Sequence, residues 1–454
     1  MKKVLTFIFT LFICTGAVAQ AMQQKTYQFV QQEMDELLKA YVKENRFNGA
    51  VLVAQKGNIL FEKGYGYRDA EQRTSHTAQD VFQIGSITKQ ITAAVIMQLQ
   101  EEGKLSVQDK LNKYFPDFPN ADKITLEHLL THTSGIYNYT NDAVILKQDV
   151  TRSYSQQELL DKFKSYPSDF EPGTKWNYSN TAYSLLGYII EKVTNKPYER
   201  VVRERIFQPL GMTNSGFDFT HLAGNKKSKG YFSLTGDKGV PAPIVDSTIA
   251  FSAGAVYSNV EDLYKWERAI YTNKILKPSD WDAVFTPYKN NYGYGWTIDT
   301  LYNRTYMAHS GGIHGFTSFL MRFPKDEVVV IMLDNSSSSQ LSKISKNLAA
   351  IALDQPFEFP RERKEVKLDN DVLQQYVGEY ELAPGFIITV TLQNNALKAQ
   401  ATNQPPFDLF AERENFFFLK AVDAQVEFIK DETGKVTEMV LYQNGMHPRG
   451  KRIK

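Results

Sequence analysis

Apolar positions along this chain change period several times, and the changes divide it into elements. Gly49–Gln55 and Asn58–Gly64 are β-rich runs separated by Lys56-Gly57, which predicts a hairpin at the start of the folded part. From Ser86 to Glu102 the period becomes helical, with Ile87, Ile91, Ala94, Val95, Met97 and Leu99 apolar and Gly103 as the stop. A helix apolar on more than one side is expected to be buried. Ser179–Lys192 reads as another helix, after the turn signal Pro172-Gly173. Ser258 and Glu261 have the spacing of a capping box for the helix that follows them. Ser318–Phe323 and Glu327–Leu333 read as paired strands around Pro324-Lys325-Asp326, and Leu341–Leu353 as a closing helix. Helices flanked by strands from both ends of this region predict one mixed α and β domain. Between Asn214 and Ser247 the pattern is too irregular to assign.

Prolines and charges dominate Gln355–Lys367, which reads as a linker. Short β-rich runs then follow at close spacing from Tyr376 to Ile453, separated by turns such as Gln393-Asn394-Asn395 and Glu432-Thr433-Gly434. They predict a small all-β barrel or curled sheet.

The N-terminus begins Met1-Lys2-Lys3, continues with a mostly apolar run from Val4 to Cys14 and reaches Ala17-Val18-Ala19. That is the pattern of a signal peptide cleaved after Ala19, so export to the periplasm or beyond is expected. The run is short for a permanent membrane anchor, and no second run approaches spanning length. The bulky Ile13 disfavours lipid attachment at Cys14. The expected domains are a signal peptide at 1–19, a catalytic domain at 20–354, a linker at 355–367 and a barrel-like accessory domain at 368–454. Cys14 is the only cysteine, so the mature chain is expected to use neither disulfides nor a thiol nucleophile. With 52 basic and 51 acidic residues, the net charge of +1 gives no reason to expect nucleic acid as a partner. Oligomeric state is not legible.

Three motifs carry candidate chemistry. Ser86-Ile87-Thr88-Lys89 opens the buried helix, and residues three apart share a helical face, so the lysine amine can reach the hydroxyl. Backbone N–H groups left free at a helix start favour negative charge there. Lys89 can act as a base if desolvation keeps it neutral. In Tyr178-Ser179-Asn180, a phenol can relay a proton, and an amide two residues on can bond both the lysine and a substrate. In His309-Ser310-Gly311-Gly312, small residues beside a strand let a substrate backbone approach, and the Gly312 N–H can join that of Ser86 as an oxyanion hole. Taken singly, each motif also has an ordinary structural reading: a helix cap, a buried tyrosine, a glycine-rich turn.

Together, in this order, the three resemble the β-lactamase and penicillin-binding-protein superfamily, in particular the branch of class C β-lactamases, D-alanyl carboxypeptidases and esterases. Leu126–Gly135 (LEHLLTHTSG), Phe207–Met212 (FQPLGM) and Tyr292–Trp296 (YGYGW) resemble it too, and the likeness runs from about Gly49 to Leu353. It implies an α+β transpeptidase-like fold, an antiparallel sheet flanked by helices plus a helical subdomain. It also implies Ser86 as nucleophile, Lys89 as base partner, Tyr178 as proton relay and Asn180 as orienting amide. His309, Ser310, Gly311 and Gly312 would line the strand beside the substrate, with no metal and no cofactor. The implied function is hydrolysis of amides or esters through an acyl-enzyme on Ser86. The partner is a small-molecule or peptide substrate: peptides with D-amino acids first, then simple esters, then β-lactams. Many relatives carry lysine at the place of His309, so carboxylate recognition is expected to be weaker or pH-dependent.

Two rivals need separate tests. His128 and His132 are four apart, a spacing that suits a metal, but H-E-x-x-H is absent. A silent binding or sensing protein on the same fold is the other.

Overall fold

Strand β1 (Gly49–Gln55) is buried along nearly its whole length, because both faces of its sheet are covered. In the computed structural model it pairs on one side with β2 (Asn58–Tyr65). On the other side lies a strand from far along the chain. With β3 (Thr297–Leu301), β4 (Arg304–Ile313), β5 (Phe316–Phe323) and β6 (Val328–Asp334), they form a six-stranded antiparallel sheet in the order β2-β1-β6-β5-β4-β3. The structure describes residues 27–454 apart from 143–149, 273, 338–339, 361–362, 403, 405, 421–423 and 444–445. The expected signal segment, Cys14 included, lies outside the described residues.

Alternate residues of the central strands feed two cores. Val51, Val53, Val330 and Met332 pack under helix α1 (27–43) and a helix near the end of this region. Ala50, Leu52, Ile331 and Leu333 face the larger core. That core is built by α2 (Thr88–Glu101), α3 (Asn180–Thr194), α4 (Ser247–Gly254) and α5 (Val260–Ala269), while α6 (Leu341–Ala352) closes the first. The sheet's run-like apolar strands thus reflect burial on both sides rather than one wet face.

One local expectation is revised. The helix after Ser258 is capped by Asn259, whose side chain accepts the Asp262 N–H at 2.9 Å. Ser258 itself sits in a two-residue strand opposite Phe82, and its hydroxyl meets Ser215 at 2.8 Å. Asn caps as well as Ser does, and the buried hydroxyl is satisfied elsewhere. The unassigned stretch contains a hairpin, Tyr231–Thr235 against Lys238–Pro241.

The chain divides between Phe359 and Pro360 into two units. In the second, β7 (Gly378–Ala383), β8 (Phe386–Gln393), β9 (Ala396–Ala401), β10 (Phe407–Arg413), β11 (Phe416–Phe418), β12 (Ala424–Lys430), β13 (Val436–Gln443) and β14 (Arg449–Arg452) form a closed up-and-down barrel. Closure comes from Tyr380 pairing with Arg452, which leaves no free sheet edge. Tyr380, Val390, Phe417 and Phe428 fill the interior. Among the described residues, no helix is long and apolar enough to cross a membrane.

Candidate active site

Ser86 occupies a 3-10 turn, Gly85–Ile87, that leads into α2. Two glycines let β4 lie against this turn. Gly85 has φ +51°, and a Cβ there would stand 2.8 Å from the Gly312 nitrogen. A Cβ on Gly311 would stand 2.0 Å from the Ile84 carbonyl oxygen. A side chain at either position would separate the strand from Ser86. A Cβ on Gly312, by contrast, would meet nothing within 4 Å, and this residue lines a cavity of about 530 Å³ that also contains Ser86 and Asn180.

Lys89 is completely buried. Its Nζ donates to Asn180 Oδ1 and to the Ala253 carbonyl, both at 2.7 Å, and lies 3.0 Å from Ser86 Oγ. Burial holds this amine well below the usual lysine range. The partner set fits a neutral amine. Two oxygens that can only accept take its two N–H groups, and its lone pair is left for the Ser86 hydroxyl. The Ala253 carbonyl is available because α4 is kinked at Phe251 (φ +36°). The same kink turns the Ser252 carbonyl to Thr92 Oγ1, at 2.7 Å. A non-glycine residue in this conformation stores strain of about 1–3 kcal/mol, which the surrounding packing must hold.

Asn180 is the first residue of α3, capped by the Ser179 hydroxyl on the Ala182 N–H at 3.3 Å. Its Nδ2 donates to Thr140 Oγ1 at 3.1 Å, which orients Oδ1 toward Lys89. The ring of Tyr178 lies 4.8 Å from Lys89 Nζ. Burial pushes the Tyr178 phenol up, and a hydrogen bond with Ser86 opposes this only in part. Beside a neutral Lys89 there is no full cation to stabilise a phenolate, so the Tyr178 phenol keeps its proton.

His309 is buried behind Tyr178, their ring centroids 6.3 Å apart. Its Nδ1 donates to the Ser310 carbonyl at 2.6 Å and its Nε2 accepts from the Tyr292 hydroxyl at 2.8 Å. Burial lowers it to about 3. It is therefore neutral at physiological pH with both nitrogens occupied, and offers no cation to a substrate carboxylate. Ser310 points to the opposite side of the strand, where it is exposed. The structure thus brings Ser86, Lys89, Tyr178, Asn180, Gly311 and Gly312 together, with His309 one layer behind.

Sequence reasoning missed the Ala253 carbonyl, Thr140 and the Tyr292 hydroxyl. Only Tyr292 carried a signal, in the stretch Tyr292–Trp296, where Gly295 packs on the start of α2. His128 and His132 have separate tasks: each Nδ1 accepts a backbone N–H, from Thr125 at 3.3 Å and from Ser179 at 3.2 Å. Among the described residues, no group of three or more His, Cys, Asp or Glu side chains could hold a metal.

Away from Ser86 the cavity is mostly apolar, with Val150, Val245, Ile249, Ile313 and Phe316 in its walls. Among its described lining residues there is no Lys, Arg, Asp or Glu; Tyr139, Thr140, His314, Thr317 and Ser337 supply polar atoms.

The profile of the beta-lactamase family matches residues 34–354. The chain belongs to this family. A domain of unknown function (DUF3471) matches residues 362–452 of the same β-lactamase-family protein. A penicillin-binding protein of Bacillus subtilis (strain 168) is 27% identical over 446 residues, covering 93% of this chain and 98% of that one. An octameric penicillin-binding protein homologue from Pyrococcus abyssi superposes with a TM-score of 0.66 at 25% identity, covering 92% of this chain and 99% of that one. A D-stereospecific amidohydrolase from Streptomyces sp. superposes with a TM-score of 0.62 at 27% identity, covering 72% and 99%. This hydrolase is therefore β-lactamase-related and penicillin-binding-protein-like over residues 34–354.

Proposed function

We propose that this protein is an exported serine hydrolase that cleaves amide or ester bonds through an acyl-enzyme on Ser86. The observation that carries the reading is the Lys89 amine, buried, without a carboxylate among its hydrogen-bond partners and 3.0 Å from Ser86 Oγ. Lys89 takes the serine proton as Oγ bonds to the substrate carbonyl carbon, and the carbonyl electron pair moves onto oxygen. The N–H groups of Ser86 and Gly312 hold that oxyanion. As the adduct collapses, Tyr178 gives its proton to the leaving nitrogen or oxygen and regains one from Lys89. Water then repeats the sequence and releases the acid.

The substrates that fit have an apolar acyl part and a leaving group without charge. A neutral His309 and a cavity wall without Lys, Arg, Asp or Glu among its described residues favour amides and esters of hydrophobic D-amino acids over peptides ending in a free carboxylate beside the scissile bond. The similarity to a D-stereospecific amidohydrolase supports the same preference. A dedicated β-lactamase ranks lower, because penicillins carry that carboxylate. Residues 1–19 act as the export signal to the periplasm or beyond, and 368–454 as an accessory domain.

The test is hydrolysis of D-phenylalanine amide, a p-nitrophenyl ester and a peptide ending in D-Ala-D-Ala, followed by chromatography. Turnover of the first two, faster than the third and abolished by Ser86→Ala, is expected. Equal turnover by wild type and Ser86→Ala would sink the reading.

A further inference from the structure

Tyr178 lies in an irregular stretch just ahead of α3, without helix or sheet bonds of its own to fix the ring. One residue, His132, ties that stretch down at three points. Its carbonyl accepts the Asn177 N–H at 3.0 Å, and its Nδ1 accepts the Ser179 N–H at 3.2 Å. Between these two bonds its ring packs on the ring of Tyr178, centroids 4.2 Å apart. A backbone N–H can only donate, so Nδ1 must offer a lone pair and the neutral ring carries its proton on Nε2. That Nε2 is buried with no hydrogen-bond partner, and the His132 ring packs against those of Tyr183 and Tyr292, centroids 5.1 and 4.7 Å away. His132 also stands at φ +59°, in the left-handed region that most side chains avoid. An orphaned buried donor and an unfavourable backbone conformation are both retained at this one position. Packing alone would be served as well by an apolar side chain.

The geometry points to His132 as a positioning residue, whose Nδ1 lone pair holds the Tyr178 phenol in line with Ser86 and Lys89 for transfer to the leaving group. This rests on the acyl-enzyme reading. It acts through Tyr178 and touches no substrate, so its loss should slow acylation and leave substrate binding alone.

Two substitutions separate the lone pair from the ring. His132→Asn keeps an acceptor at the place of Nδ1 and suits a positive φ, but loses the ring. His132→Phe keeps a ring and loses the acceptor. Ser86 acylation by a p-nitrophenyl ester is followed in single-turnover stopped flow, with thermal midpoints recorded for each variant. For His132→Phe the acylation rate should fall about 100-fold. Its substrate dissociation constant should stay within about threefold of wild type. His132→Asn should recover to within about tenfold of wild type.

Equal losses in the two variants, or a folded His132→Phe acylating at the wild-type rate, would overturn the assignment. If His132→Phe does not fold, the Asn variant decides: within about tenfold of wild type supports the role, and a loss of about 100-fold overturns it. Fluorophosphonate labelling of wild-type Ser86 is the control. Failure there overturns the acyl-enzyme reading itself, whereas labelled wild type with unaffected variants overturns only the role of His132.

Discussion

A buried lysine is expensive as a cation, and the site uses that cost. The Lys89 amine is lowered by desolvation, which lets it serve as the base of the proposed mechanism without a neighbouring positive charge. Lys89→Arg, which cannot lose its proton in a protein, should therefore lower acylation at least about 100-fold while leaving a charged group in place. Burst kinetics with an ester measures this, and near-normal acylation by the arginine variant would remove Lys89 from the role of base. His309 gives a stability prediction of definite sign. Its pKa is 6.5 when unperturbed and about 3 in the fold, so between those values the native state binds fewer protons than the unfolded one. Stability is then lost as pH falls through that window, by about 1.4 kcal/mol per unit. Going from pH 6 to pH 4, His309→Gln should lose about 2 kcal/mol less than wild type in urea unfolding. Identical pH dependence would mean that His309 is not held neutral.

Among the elements, the fit of β4 to the turn bearing Ser86 depends on which glycine faces which way. Gly311→Ala would drive a methyl to 2.0 Å from the Ile84 carbonyl, whereas Gly312→Ala would enter open space. The first should destabilise by about 1–3 kcal/mol and reduce acylation steeply; the second should fold normally. Thermal midpoints and acylation rates distinguish them, and equal behaviour would contradict this register. The same elements show what was legible beforehand. The helix bearing Lys89, the strand pair β5–β6 and the barrel strands carry dense apolar patterns, and each appears close to where the pattern put it. The hairpin at Tyr231–Pro241 was not legible because its strands are short and largely exposed, with little periodicity to read. Nor was the kink at Phe251, since phenylalanine signals no positive φ. The Ala253 carbonyl and the Tyr292–His309 bond escaped for a related reason. One is a backbone group and the other a meeting of residues on different elements, so residue type announces neither.

At the scale of the whole molecule, the two units have separate cores. A chain ending at Phe359 should thus fold and hydrolyse a small ester at close to the full-length rate. Loss of that activity in a folded truncation would assign the barrel a part in catalysis. The proposed activation of Ser86 is checked by intact-protein mass spectrometry of wild type and Ser86→Ala after incubation with a fluorophosphonate. A single adduct on wild type that is absent from Ser86→Ala is the expected result. An unmodified wild type, or an adduct that persists in Ser86→Ala, would contradict the account.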